Sequence, residues 1–291
     1  MSSVTVRRAR PWLGTLVDVT VRAGDVYAAR WALEAAFRAI ERVHRLMSPV
    51  EPASDVAAIN RALAGTTMAV SRETFVVLAF CEHLNRASQG VFDPCCAEAS
   101  DNGASRCTDL GLDPDGFRVR VRRPVRLDLG GVAKGYAVDE AVRAACTAGA
   151  SGGVVNAGGD MRAWGDAPVT VQIRDPRQRA SGVSVGELKN AALATSALGG
   201  SQYVNPLNAG AALPFISASV TAPDCIAADA LTKVVLTSPA PPLVLLAEFN
   251  AAALVIDHAG RIFSTRAPLL AGMPIANALT ADCDELEISH V

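Results

Sequence analysis

Hydrophobic and polar positions alternate along residues 13–22, with Val17, Val19 and Val21 set against Leu16, Asp18 and Thr20, and this period of two predicts a strand. From 26 to 47 the spacing lengthens. Leu33, Phe37, Ile40, Val43 and Met47 recur every three or four positions, which predicts a helix with one apolar face and with Arg42 and Arg45 elsewhere. Ser48-Pro49 ends that helix, because a residue before proline is pushed out of the helical region. Ser54 is placed to cap a short helix running through Ile59 and Leu63 to Gly65. Another helix is expected over 72–88, ending near Gly90.

Alternation returns in "RVRV" (118–121) and "VRLDL" (125–129), both predicted strands, and a helix follows over 134–147, closed by Gly149. "VTVQIRDP" sets Val169, Val171 and Ile173 against Thr170, Gln172 and Arg174, a half-buried strand ended by Pro176. The pattern then gives a strand over 214–221, helices over 227–237 and 242–249, and a hairpin, "ALVIDHAGRIFST", turned at His258-Ala259-Gly260. Strands and helices mix without βαβ alternation, so the expected class is α+β. No repeat, linker or shift of composition divides the chain, and residues 1–291 are expected to form a single domain.

Half of the 291 residues are hydrophobic, enough for a sizeable core. A net charge of −2 and an aromatic content of 5% argue against a nucleic-acid binder. Arg7-Arg8 has the look of a twin-arginine export signal, but Gly14 and Asp18 interrupt the apolar run that would have to follow. Glu248 and Asn250 break the later apolar stretch before it reaches the roughly 18 residues of a membrane span. These readings give a cytoplasmic protein without a membrane span. Seven cysteines without CxxC spacing fit reduced, mostly buried thiols, and the neighbours Cys95 and Cys96 are read as packing residues.

Several signatures are excluded. GxGxxG and GxxxxGK[ST] are absent. "GASGG" (149–153) matches GxSxG, but a nucleophile elbow needs a strand before the serine, and here a helix precedes it. The four histidines have no metal-ligand spacing. What remains is polar residues at element ends. Asp128 precedes Gly130-Gly131, where backbone can approach a ligand closely. Lys134 stands in the first turn of a helix whose amides favour an anion. Gly158-Gly159-Asp160 repeats the arrangement, and Asp229, Thr232 and Lys233 share a helical face. A carboxylate, a hydroxyl and a glycine carbonyl are oxygen donors suited to Mg²⁺. The bland alternative makes Asp229 a partner of the helix dipole and Asp128 a loop cap.

These segments resemble the FAD:protein FMN transferases, the ApbE-like flavin transferases. "LGT" (13–15) resembles the family's Met-Gly-Thr, "MSPVEPASDVAAIN" (47–60) its Ser-rich segment, and "GVFDP" (90–94) its Gly-Ala-Phe-Asp. "LDLGGVAKGYAVD" (127–139) is close to its most specific motif, and "VNAGGD", "IRDP", "ATS" and "ADAL" follow in order. The resemblance implies an α+β fold, with largely antiparallel strands around a nucleotide cleft, that binds FAD as substrate and Mg²⁺ beside its pyrophosphate. It implies transfer of FMN to a Ser or Thr hydroxyl of a target protein, with release of AMP. Carried over by position, Leu13, Val50, Val91, Phe92, Asp93, Asp128, Lys134 and Tyr203 would contact FAD. Gly131, through its carbonyl, Asp229 and Thr232 would hold the metal. The chain departs from the family at five positions. The family's candidate base, a histidine, falls on Gln202, which cannot take a proton. Asn205 replaces an aspartate. Lys233 stands where a metal-ligand threonine is usual, and could instead supply positive charge directly. Leu13 and Val50 replace a methionine and an aromatic. Two alternatives stay open: a non-catalytic FAD-binding protein, and an FAD pyrophosphatase with water as acceptor. In either active case Asp160 or Asp175 could serve as base.

Overall fold

The computed structural model describes residues 3–95, 99–100, 103–174, 182–198, 206–207 and 212–266. The chain opens with β1 (Val4–Trp12), β2 (Thr15–Ala23), α1 (Val26–Met47), α2 (Asp55–Arg61), β3 (Thr67–Ala69) and α3 (Arg72–Ala87). Short strands β4 (Ala99–Ser100), β5 (Gly103–Ala104), β6 (Leu110–Asp113) and β7 (Arg118–Val121) lead to α4 (Ala133–Thr147). Then come β8 (Gly152–Ala157), β9 (Asp160–Trp164), β10 (Val169–Arg174), β11 (Gly182–Leu188), β12 (Ala191–Ala197) and β13 (Phe215–Ala222). After them follow α5 (Cys225–Thr237), α6 (Leu243–Glu248), β14 (Ala252–Asp257) and β15 (Ile262–Ser264).

Eight strands form one sheet in the order β1-β2-β8-β9-β12-β13-β14-β15, with every neighbouring pair antiparallel. The class is therefore α+β, as the mixed pattern implied. Side chains on successive residues of the middle strands point to opposite faces and feed two cores. On one face Val17, Val19, Val155, Ala218 and Val220 meet the helical layer, in which α1 packs on α4 and α4 on α5. On the other face the β10–β11 hairpin lays Val171, Ile173 and Leu188 on Leu193, Ile216, Leu254 and Ile256. Leu33, Phe37, Ile40, Val43 and Met47 are all buried, as their helical spacing required. Burial of each such side chain contributes about 1.5–3 kcal/mol before the entropy cost of ordering it.

Three differences from the pattern have local causes. The strand β1 was not expected. Its residues are mostly exposed or half-buried at the sheet edge, so alternation is faint, and Arg7 and Arg8 are tied to Asp18 and Glu34 on its surface. The helix α2, capped by Ser54 as expected, stops at Arg61 rather than running to Gly65. Leu63 is exposed, and Gly65 N–H is drawn 2.7 Å from the Val121 carbonyl in the small sheet β3-β7-β6. Residues 125–129 alternate in burial like a strand but join no sheet. The Asn60 amide takes the ladder's place: its oxygen accepts Leu127 N–H at 2.7 Å, and its nitrogen donates to the Leu127 carbonyl at 2.9 Å. Asp128, between the buried Leu127 and Leu129, is exposed and accepts Gly130 N–H at 2.7 Å, a turn cap.

Ser151 lies between α4 and β8, helix before strand, and donates to the Arg22 carbonyl, so no nucleophile elbow forms there. Cys81, Cys95, Cys107 and Cys225 are buried and Cys146 is exposed. Cys96 and Cys283 lie outside the described residues, as does Pro176. No described helix is long and apolar enough to cross a membrane.

Candidate active site

Two tight turns meet at one end of the main sheet. Leu13 and Gly14, at φ 56° and 71°, form the two-residue loop between Trp12 and Thr15. Gly158 and Gly159, at φ 68° and 107°, join Ala157 to Asp160. Because β2 and β8 pair Val17 with Ala157, the two turns lie side by side, and a Cβ on Gly158 would stand 2.5 Å from Thr15 Oγ1. Glycine is required there both for space and for its positive φ. This close fit leaves Asp160 at the start of β9, with its side chain 3% exposed.

The helices α4 and α5 cap each other. The cap residue of α4, Val132, makes no side-chain cap bond, and its third amide, Gly135 N–H, donates to Asp229 Oδ2 on α5 at 3.0 Å. In return Asp139 on α4 accepts Cys225 and Ile226 N–H, each at 2.9 Å, in the first turn of α5, and pairs with Arg162. Each carboxylate satisfies amides that a helix start leaves without partners and meets the positive end of the other helix's dipole. Such approach requires Gly135, where a Cβ would fall 2.2 Å from the Cys225 carbonyl oxygen.

The junction gathers four charged side chains. Lys134 pairs with Asp160 and lies 3.6 Å from Asp229 Oδ1, while Lys233 pairs with that same Oδ1 and donates to the Asp229 carbonyl at 2.9 Å. Asp229 is fully buried, but the Lys134 and Lys233 side chains keep 29% and 17% of their surface. Two lysines thus face solvent over two carboxylates beneath them. Burial, and then the Asp229 carboxylate, push Asp160 up to about 6 against the pull of Lys134 and Lys233. Burial also opposes ionisation of Asp229, yet Lys233, Lys134 and the Gly135 amide hold it below the usual carboxylate range.

The positions expected to hold a metal adjoin this cluster. Asp229 accepts from Lys233 on one oxygen and from Gly135 on the other. Thr232 Oγ1 donates to the Asp229 carbonyl at 2.6 Å and meets Ser196 Oγ at 2.7 Å. The Lys233 stem passes beside Gly131, whose Cβ, if present, would lie 3.5 Å from Lys233 Cε. A lysine therefore fills the approach to the donors on which Mg²⁺ would depend, and the arrangement does not fit the ion. Among the described residues no group of three or more His, Cys, Asp or Glu side chains is placed to bind a metal.

The remaining expected contacts are spread along the neighbouring chain. Phe92 is buried in the main core, with Val91 packed half-buried beside it. Asp93 is buried and turned inward, accepting Cys95 N–H at 2.9 Å and Cys107 N–H at 3.0 Å, and burial pushes its carboxyl up. Asp128 N–H donates to the Pro94 carbonyl, which joins this segment to the glycine turn before α4. Val50 is 85% exposed in the turn after α1, and Leu13 is half-buried in its tight turn. Tyr203, Gln202, Asn205 and Asp175 lie outside the described residues.

Residues 13–255 match the ApbE family. The chain belongs to that family. Among solved structures it is similar to the ApbE protein of Thermotoga maritima, with a TM-score of 0.76 at 24% identity, covering 89% of this chain and 96% of that one. It is also similar to the Pseudomonas stutzeri flavinyl transferase ApbE in its apo form, with a TM-score of 0.76 at 20% identity over 89% and 93% of the two chains. A flavin transferase ApbE from Vibrio cholerae gives a TM-score of 0.74 at 20% identity over 88% and 94%. No curated protein matches the chain.

Three residues that the sequence did not assign to FAD or to the metal prove central to the geometry of this cluster. Asp160 reads from the sequence as a polar residue beside a glycine pair and as one of two candidate bases, but nothing in "AGGD" shows that it meets Lys134. Gly135 carried a usable signal, a glycine inside the first turn of a helix, where alanine would be the better helix former. Ser196, in "ATS", faces Thr232 across the gap between β12 and α5.

Proposed function

We propose that the protein transfers FMN from FAD to a Ser or Thr hydroxyl of a target protein and releases AMP. Family membership supports flavin chemistry, and the observation that carries the reading is the layered charge at the α4–α5 junction. Two partly exposed lysine side chains pair with buried carboxylates, beside glycine turns that let backbone approach a ligand. A dianionic pyrophosphate would meet the lysines first, and the carboxylates beneath would fix their positions.

In this reading Lys134 and Lys233 bind the pyrophosphate oxygens and offset the charge that builds up as the phosphoanhydride breaks. The target hydroxyl attacks the FMN phosphorus, a P–O ester bond forms, and AMP leaves with the electron pair of the broken bond. Asp160 accepts the hydroxyl proton. A carboxyl pushed up to about 6 is still mostly ionised at neutral pH yet more basic than an ordinary one. The magnesium that the family resemblance implies takes no part in these steps, because both Asp229 carboxylate oxygens are already engaged. FAD contacts at Leu13, Val50, Val91, Phe92, Asp93, Asp128 and Tyr203 belong to this proposal, with Phe92 and Asp93 acting through backbone, since their side chains are buried.

The test is single-turnover release of AMP from FAD in the presence of an acceptor, comparing the protein with Asp160→Asn. Loss of a positioned base should slow release by about 10²–10⁴-fold at saturating FAD. Unchanged release in the variant would remove Asp160 from the mechanism.

A further inference from the structure

The geometry points to Lys233 as a built-in replacement for the divalent cation, so that this chain binds and cleaves FAD without Mg²⁺. The inference rests on the flavin reading above, and three observations lead to it. The Lys233 stem runs beside Gly131, where a Cβ would lie 3.5 Å from Cε, 3.7 Å from Cγ and 3.9 Å from Cδ, so the space over the glycine turn is filled. Its ammonium pairs with Asp229 Oδ1, a carboxylate oxygen an ion would need, and is held there by a second bond to the Asp229 carbonyl at 2.9 Å. Thr232, the remaining hydroxyl, is turned away into bonds with Ser196 and its own helix.

Charge gives the same answer. With both lysines present the cluster balances two cations against two carboxylates, and a further divalent ion would place two uncompensated positive charges at a largely buried site. Without Lys233 the cluster would carry a net negative charge and open oxygens, the setting that attracts a hard cation. Lys233 holds a point cation on a stem anchored in α5, with 17% of the side chain still exposed. In the transfer, the electron pair of the broken phosphoanhydride bond ends on the AMP oxygen, and the Lys233 ammonium stabilises that charge by hydrogen bonding without giving up its proton.

The experiment titrates Mn²⁺ into the free protein by electron paramagnetic resonance, and separately titrates FAD by flavin fluorescence in excess EDTA and in millimolar Mg²⁺. Three proteins are compared: the unaltered chain, Lys233→Thr and Lys233→Met. In the unaltered chain, FAD affinity should be the same with EDTA and with Mg²⁺. Lys233→Thr should lose roughly tenfold or more in EDTA, regain it in Mg²⁺, and bind Mn²⁺ at least about tenfold more tightly than the unaltered chain. Lys233→Met keeps the stem without the charge, and should lose FAD affinity that Mg²⁺ does not restore. Equal Mn²⁺ affinity in the unaltered chain and Lys233→Thr, whether strong or weak, overturns the inference. So does an unaltered chain that binds FAD only with Mg²⁺. If none of the proteins binds FAD, the flavin reading falls, while the Mn²⁺ titration still decides whether Lys233 stands in for the ion.

Discussion

Replacing Gly135 by alanine should destabilise the protein, although alanine is the better helix former by about 1 kcal/mol. The added methyl would lie 2.2 Å from the Cys225 carbonyl oxygen, 2.7 Å from its carbon and 2.8 Å from Asp229 Cβ. Two of these are backbone atoms in the first turn of α5, held in place because Asp139 accepts the Cys225 and Ile226 amides. Relief of the clash requires α5 to retreat by about 1 Å, at an overpacking cost of about 1–3 kcal/mol. The same movement stretches the 3.0 Å contact between Gly135 N–H and Asp229 Oδ2 past hydrogen-bonding range. Loss of a bond to a charged group adds about 1.5–3 kcal/mol. Set against the propensity gain, the net loss is about 1.5–5 kcal/mol. Equilibrium unfolding in guanidinium chloride measures it, with Gly24→Ala as control, since a Cβ there meets nothing within 4 Å. A Gly135→Ala midpoint equal to or above that of the unaltered chain would refute the mutual capping of α4 and α5.

Two further predictions concern the carboxylates. Asp139→Ala removes the acceptor for two α5 amides and the partner of Arg162, and should cost about 3 kcal/mol in the same unfolding assay, whereas a change under about 1 kcal/mol would mean that the capping is dispensable. Asp160 should make stability fall as pH rises: its folded carboxyl, at about 6, lies above the unfolded value of about 3.9, so the folded state binds more protons between these limits. Its contribution is therefore fully present below about pH 4 and decreases by about 3 kcal/mol as pH rises through 6. The stability difference between the unaltered chain and Asp160→Asn, measured from pH 4 to pH 7, should show this decline, and a flat or rising difference would contradict the assigned direction.

Elements with strong periodicity were legible from the sequence, and the contacts that assemble the site were not. The helix α1 follows directly from Leu33, Phe37, Ile40, Val43 and Met47, and the faces of β10 follow from its alternation. Residues 125–129 show where this reasoning stops: alternation fixes which side chains are buried, but whether a ladder forms depends on the partner, here one Asn60 side chain rather than a strand. For the site, spacing on a helix brought Asp229, Thr232 and Lys233 to one face, and the glycine turns were visible as sequence. That Asp229 caps α4, that Asp160 meets Lys134 and that Asp93 turns inward are contacts between segments distant in the chain. No local pattern encodes them. The exposure of Asp128, by contrast, follows from the alternation of residues 125–129, which turns it away from the buried Leu127 and Leu129.

Flavin transfer itself is tested most directly by incubating the protein with FAD and total protein from its source cell, then scanning a denaturing gel for covalent flavin fluorescence while nucleotides are separated by chromatography. A fluorescent band that requires the added protein, is absent with Asp160→Asn and appears together with AMP is the expected result. Intact FAD with no band, or free FMN and AMP with no band, would contradict transfer, the first leaving a flavin-binding protein and the second a pyrophosphatase.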